Sequence, residues 1–287
     1  MANVNVAGQL DEIEKRIMAG LKDFQRATVN RIDELYRAGQ MRVLVSDEVG
    51  LGKTLIARGT IAKLAKLQKE SGDKLVKIVY VCSNASIAEQ NLNKLRITSE
   101  LKTESTSSSR LSMQHLNIFK QENDTELLNR YIQLIPLTPD TSFRMTSGAG
   151  TVSERALMYA ILRRMPELSM YRKALEVAME DYAVSAWDGW ARDWYETQVK
   201  ECDKTSCGKY LAYMLEKLSA ELSMQVDDEN TVLDMIISMC KQIRKNGYKQ
   251  QNNNAVIGKL RVIFAKISLG KLEPDLVIWT NFKGSNI

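Results

Sequence analysis

Asp47-Glu48-Val49-Gly50-Leu51-Gly52-Lys53-Thr54 decides the reading of this chain, because consecutive positions supply close-approach glycines, a lysine and a hydroxyl. Phosphate oxygens need several backbone N–H groups pointing inward, and a glycine-bearing turn at a helix N-terminus provides them. In that geometry the backbone of Val49, Gly50, Leu51 and Gly52 wraps the phosphates, Lys53 reaches the β and γ oxygens, and the Thr54 hydroxyl ligates Mg2+. The flanks agree. Met41-Arg42-Val43-Leu44-Val45 is a short β-branched run suited to a buried strand, and residues 55–67 repeat apolar side chains at helical spacing. Strand, loop and helix follow in the order of a P-loop, so ATP and Mg2+ are the expected cofactors and Lys53 and Thr54 the expected catalytic groups.

The usual pattern begins with Gly at the position held here by Asp47. Asp-Glu-x-Gly-x-Gly-Lys-Thr resembles motif I of superfamily-two helicases, and its Gly-Leu-Gly-Lys-Thr form is most similar to the SWI/SNF branch of double-strand DNA translocases. In that family a Gln at the start of the preceding helix reads the adenine edge. Leu21-Lys22-Asp23-Phe24-Gln25 lies upstream of the loop, and Gln25 is the match. A carboxamide suits that task because it offers a donor and an acceptor side by side. The resemblance implies a RecA-like lobe, ATP-dependent action on DNA, double-stranded rather than RNA, and partners of the kind found in defence systems.

Composition sets the bounds. The chain has 287 residues, 44% hydrophobic and 26% charged, with a formal net charge of +5. A mild basic bias permits nucleic acid without demanding it. No run is apolar enough to span a bilayer and no signal-peptide core opens the chain, so a cytoplasmic protein without membrane contact is expected. Cys82, Cys202, Cys207 and Cys240 lack zinc-knuckle spacing and read as reduced thiols. His115, the single histidine, has no nucleophile signature beside it and reads as a packing or surface residue.

Along the chain, residues 9–19 and 24–38 read as helices. The second has Asp23 as N-cap, an apolar face of Phe24, Thr28, Ile32 and Leu35, and Gly39 as its stop. Residues 77–82 form a second buried-strand candidate ending in Ser83-Asn84, which is similar to motif Ia, where polar residues meet nucleic-acid phosphates; an ordinary β-to-α turn fits the same residues. Residues 103–112 read as a polar surface loop. Residues 134–139 read as an edge strand, after which the Thr and Ser side chains either line a DNA groove, as motif Ib does, or form a Pro-directed turn. Residues 147–151 read as a flexible hinge.

From Val152 to about Lys249 the pattern is helical throughout, and Trp187, Trp190 and Trp194 recur at helical spacing, which places them on one face as packing anchors, with a base-stacking platform as the alternative. Residues 255–267 read as a further helix and 274–278 as a returning buried strand. The expected fold class is therefore α/β, an incomplete first RecA-like P-loop lobe with a large inserted helical subdomain. Its parts are an N-terminal portion of the lobe (1–151), the helical insertion (152–250), the return to the lobe (251–278) and an aberrant tail (279–287).

The resemblance places motif II, an aliphatic run followed by Asp-Glu, at the end of that last strand, where the Asp holds Mg2+ and the Glu orients water. The chain reads Trp279-Thr280-Asn281 instead. Trp is TGG and Thr is ACN, so the frame one base earlier gives an apolar NTG codon, then GAC for Asp, then NAA, which is Glu for one choice of base. A frameshift within motif II is the expectation, with a native tail as its alternative. Without those carboxylates and without a second lobe's arginine finger, the expected chain binds ATP but neither hydrolyses it nor translocates. The competing class is a non-hydrolysing nucleotide-binding interaction protein.

Overall fold

The computed structural model describes residues 2–40, 42–45, 50–72, 75–82, 85–102, 110–138, 142, 148–225 and 230–279. They form two compact units. One comprises Met1–Ser109, Asp124–Thr141 and Glu273–Ile287; the other comprises Arg110–Asn123 and Ser142–Leu272.

The first unit is built on helices α1 (Ala2–Ala19), α2 (Asp23–Arg37), α3 (Lys53–Gly72) and α4 (Ala85–Leu95) and on strands β1 (Val76–Val81), β2 (Ile132–Leu137) and β3 (Leu276–Trp279). The strands form a parallel sheet in the order β2-β1-β3. Val6, Leu10, Ile13 and Ile17 recur at helical spacing along α1 and meet Ile61 and Ala65 of α3, Ile78 and Tyr80 of β1, and Leu92 of α4 in one buried cluster. Asp275 fixes the register of β3. Its Oδ2 accepts the Lys77 N–H at 2.8 Å and its own N–H donates to the Lys77 carbonyl at 2.9 Å.

The strand expected at 41–45 does not form over 42–45, the described part of it. These residues have no ladder partner among the described residues, and Leu44 is 89% exposed. A strand needs a neighbour to satisfy its backbone, and among the described residues β3 pairs on one side only. Connectivity says where this segment enters. Crossovers between parallel strands are right-handed; α4 leads from β1 towards β2, and α3, which packs against α4, occupies the same face. The segment feeding α3 must then approach from the β3 side of the sheet.

Other expectations shift in detail. Lys22, not Asp23, is the N-cap of α2, and the buried face is Gln25, Val29 and Ile32, with Phe24 exposed. Thr138 and Ser142 are buried, so neither side chain lines an open groove. Ser83 and Asn84, and residues 103–109 of the loop expected at 103–112, lie outside the described residues, as do 139–141, 143–147 and the tail from 280.

The second unit is helical. Helix α5 (Gln114–Glu122), which the sequence reading did not anticipate, joins helices Val152–Leu162, Arg172–Glu180, Arg192–Thr205, Lys209–Leu222, Val232–Lys245 and Asn254–Leu272 around one core. It therefore starts from residue 110 and keeps the helix Asn254–Leu272, so the chain returns to the sheet-bearing unit at Glu273 rather than at 251. Leu111–Met113 is a buried 3₁₀ turn rather than a surface loop, and Ser112 Oγ donates to Glu154 Oε1 at 2.7 Å.

The expected hinge at 147–151 is a tightly bonded junction where it is described. Thr151 and Glu154 form a reciprocal capping box, Thr151 N–H to Glu154 Oε2 at 2.9 Å and Glu154 N–H to Thr151 Oγ1 at 3.3 Å. Buried Arg261 pairs with Glu154 at 3.2 Å, and Arg155 donates to the Gly150 carbonyl at 3.0 Å and the Met179 carbonyl at 2.6 Å. Gly150 has φ +74°, and a Cβ there would lie 2.6 Å from Arg261 Nε and 2.7 Å from Glu154 Oε2. Only glycine fits both the backbone and the space.

Of the three tryptophans, Trp187 alone is a core anchor at 1% exposure; Trp190 and Trp194 are 48% and 56% exposed. The cause is local. Trp187–Ala191 forms a π turn, whose wider winding rotates the later positions away from the face that α-helical spacing assigns them.

Candidate nucleotide site

The site grows from the start of α3. Gly50 and Gly52 have φ +95° and +81°, a region glycine enters without steric cost, and the loop turns through them into the helix. The Gly52 carbonyl accepts the Leu55 and Ile56 N–H groups at 2.8 and 3.2 Å, making Gly52 the N-cap residue. The N–H groups of Gly52, Lys53 and Thr54 have no protein acceptor among the described residues. They sit at the positive end of a 20-residue helix whose first turn carries no acidic side chain. Lys53 and Thr54 are half-buried, and Lys53 has no ion pair among the described residues. A Cβ at Gly50 would meet nothing within 4 Å, so the space over the loop is open there. These features fit an anion held by backbone donors and one cation.

Helix α2 positions the third component. Gln25 is only 3% exposed. Its Oε1 accepts the Lys22 N–H at 3.0 Å, satisfying an orphan donor at the helix start, and its Nε2 donates to the Leu51 carbonyl at 2.9 Å. Both ends of the carboxamide thus serve the protein, which leaves one amide hydrogen and one lone pair for a base edge. A Cβ at Gly52 would lie 2.5 Å from Gln25 Nε2, so loop and side chain are in close register.

Gly59 makes this register possible, and the sequence reading missed it. A Cβ at Gly59 would sit 2.9 Å from Val29 Cγ2 and 3.3 Å from Leu21 Cδ1. The missing side chain lets α2 and α3 approach, with Val29, Ile32, Leu21 and Ile56 buried between them. A lone glycine inside an otherwise helical pattern was the available signal.

The structure brings Gln25, Gly50, Leu51, Gly52, Lys53 and Thr54 together, while Val49, Asp47 and Glu48 lie outside the described residues. Among the described residues no group of three His, Cys, Asp or Glu side chains clusters. At the far end of the sheet, the sequence after Asp275 holds no further carboxylate side chain, and Asp275 itself is spent on Lys77. His115 belongs to the other unit. It is fully buried in the helical unit, with Nδ1 3.1 Å from the Tyr210 hydroxyl, and burial pushes its pKa down to about 3 despite the Ser112 carbonyl.

Residues 19–135 match the family model described as the res subunit of type III restriction enzymes. The match spans α2, the phosphate loop, α3, β1, α4 and α5 and reaches into β2, so this stretch is similar to a helicase-superfamily-two-like domain. No curated protein and no solved structure matches the chain.

Proposed function

We propose that the chain is the N-terminal ATP-binding portion of an ATP-dependent helicase or translocase of the SWI/SNF-like branch, acting in the cytoplasm on double-stranded DNA, in company with defence-system proteins. The observation that carries this reading is the open, glycine-turned N-terminus of α3, which Lys53 begins and whose loop Gln25 holds through the Leu51 carbonyl. In the proposed site the N–H groups from Gly50 to Thr54 bind the phosphates, Lys53 neutralises their terminal charge, and Thr54 Oγ1 holds Mg2+. Gln25 positions the loop and offers its remaining hydrogen and lone pair to adenine.

Hydrolysis needs a carboxylate pair that the sequence after β3 does not contain. The chain by itself is therefore proposed to bind nucleotide without turning it over. The frame one base earlier, which reads Asp at this point, is the proposed origin of the missing pair, and sequencing the coding DNA from the Pro274 codon onward decides it.

The binding claim is tested with a fluorescent ATP analogue and Mg2+. Saturable binding to the full chain is expected, weakened at least tenfold by Lys53→Ala and unaffected by Lys204→Ala. Equal affinity in the Lys53→Ala variant would overturn it.

A further inference from the structure

The charge of the helical unit is unevenly placed. Residues 235–272 contain eight Lys and Arg side chains and no Asp or Glu. Three of these cations are neutralised, Arg261 by Glu154, Lys266 by Glu221 and Lys271 by Glu122. Arg244, Lys245 and Lys249, at the end of the helix Val232–Lys245 and just beyond it, are exposed and have no ion pair among the described residues. The same holds for Arg172 and Lys173 at the start of the helix Arg172–Glu180.

Two crossed contacts bring these groups to one corner. The Arg244 guanidinium lies 5.8 Å from the Tyr171 ring centroid, and Lys173 Nζ lies 4.4 Å from that of Tyr248. Tyr248 itself has φ +60°, a conformation costly for a bulky side chain. It is held there by its N–H to the Ile243 carbonyl at 2.8 Å, after Gly247 at φ +67°. Strain of this kind persists where surrounding contacts over-determine it, often at functional positions. The carboxylates nearest in sequence do not cancel the patch. Glu176, three residues after Lys173, pairs with Arg192 at 3.2 Å, and Glu167 is one charge against five. Gln250 to Asn254 extend the corner with uncharged donors.

We propose that this corner is a binding surface for the phosphate backbone of duplex nucleic acid, assembled by Arg172, Lys173, Arg244, Lys245 and Lys249 around Tyr171 and Tyr248. Unpaired cations at a fixed spacing release counterions on meeting a polyphosphate, whereas paired surface lysines gain little. The inference rests on the nucleic-acid part of the proposed function and is independent of nucleotide binding.

The test uses the full chain and a fluorescein-labelled 20-base-pair DNA duplex, with anisotropy read from 50 to 200 mM KCl. The variant Arg244→Gln/Lys245→Gln/Lys249→Gln is compared with Lys204→Gln/Lys209→Gln/Lys217→Gln, which removes the same charge from exposed positions elsewhere in the unit. The patch variant is expected to bind about tenfold more weakly at 100 mM, with a log–log salt slope shallower by about 2.7, from ~0.9 per lost phosphate contact. The control variant keeps affinity and slope. Equal losses in both variants, no loss in the patch variant, no binding by the parent chain at 50 mM, or displacement by oligoglutamate as effective as by unlabelled duplex would each overturn the proposal. Binding of the ATP analogue, measured on the same proteins, tells the two readings apart. An intact patch effect with no nucleotide binding refutes the proposed function alone, and the reverse result refutes this inference alone.

Discussion

Gln25 Nε2 donates to the Leu51 carbonyl at 2.9 Å, so a single side chain links the first turn of α2 to the phosphate loop. Because the same carboxamide accepts from Lys22 N–H, its removal frees two partly buried backbone groups at once. Gln25→Ala should cost about 1–3 kcal/mol of stability in urea unfolding and weaken binding of an ATP analogue, while Gln25→Glu, which keeps the acceptor and loses the donor, should retain the Lys22 bond and lose the loop contact. Equal nucleotide affinity in Gln25→Ala and the parent would refute a positioning role.

Gly52→Ala tests the close approach from the other side. It meets Gln25 Nε2 at 2.5 Å and holds alanine at φ +81°, a conformation costing about 1–2 kcal/mol in itself. Pairing it with Gln25→Ala removes the clash but not the backbone strain. The double variant should therefore be less destabilised than the sum of the single ones, by roughly 1 kcal/mol, and strict additivity would show that the two groups do not touch.

Gly150→Ala should destabilise the helical unit by about 2–4 kcal/mol, since it adds backbone strain and pushes apart a buried ion pair. The structural basis is the 2.6 Å approach to Arg261 Nε. A denaturant midpoint shift confined to the sheet-bearing unit would contradict this assignment.

Stability of the helical unit should fall with acid in two windows. Burial depresses the His115 pKa to about 3 from 6.5, so the unfolded chain binds the proton first and stability is lost as pH falls from about 6.5 towards 3, at up to about 1.4 kcal/mol per unit. Glu154 acts lower. Burial alone would raise its pKa, but the Thr151 N–H, the Ser112 hydroxyl, Arg261 and Arg110 outweigh burial and hold it below 4.5, so its contribution is complete above that value and lost below it. His115→Gln should flatten the first window and leave the second, as read from urea midpoints between pH 7 and 3.

Trp187→Ala should cost about 3–5 kcal/mol, whereas Trp190→Ala and Trp194→Ala should each stay within about 0.5 kcal/mol. The contrast follows from burial of the first and exposure of the other two, and equal costs would show that the π turn is not the dividing feature.

Features written in local sequence were legible. Glycines before Lys53 announced the turn, and apolar runs announced β1, β2 and β3. Features set by distant partners were not. The β-branched run at 42–45 has strand propensity but no neighbour to pair with among the described residues, and Gln25 is buried only because Leu51, 26 residues later, needs its amide. α5 escaped because its buried face includes Gln114 and His115, polar residues that hide the helical period. The tryptophan spacing misled because it presumed one helical winding throughout.

The bond between Asp275 and Lys77 joins residues 198 apart, and this sets an order of events during synthesis. β1 and β2 emerge from the ribosome well before β3, and residues 142–272 of the helical unit are translated in between, which takes on the order of ten seconds. Throughout that interval the β1 edge that β3 will occupy is an open template for another chain. Crowded polysomes, where several nascent copies wait with the same bare edge, are the setting in which this protein is most exposed to mispairing, and slowing translation across the helical segment should raise its yield of aggregate.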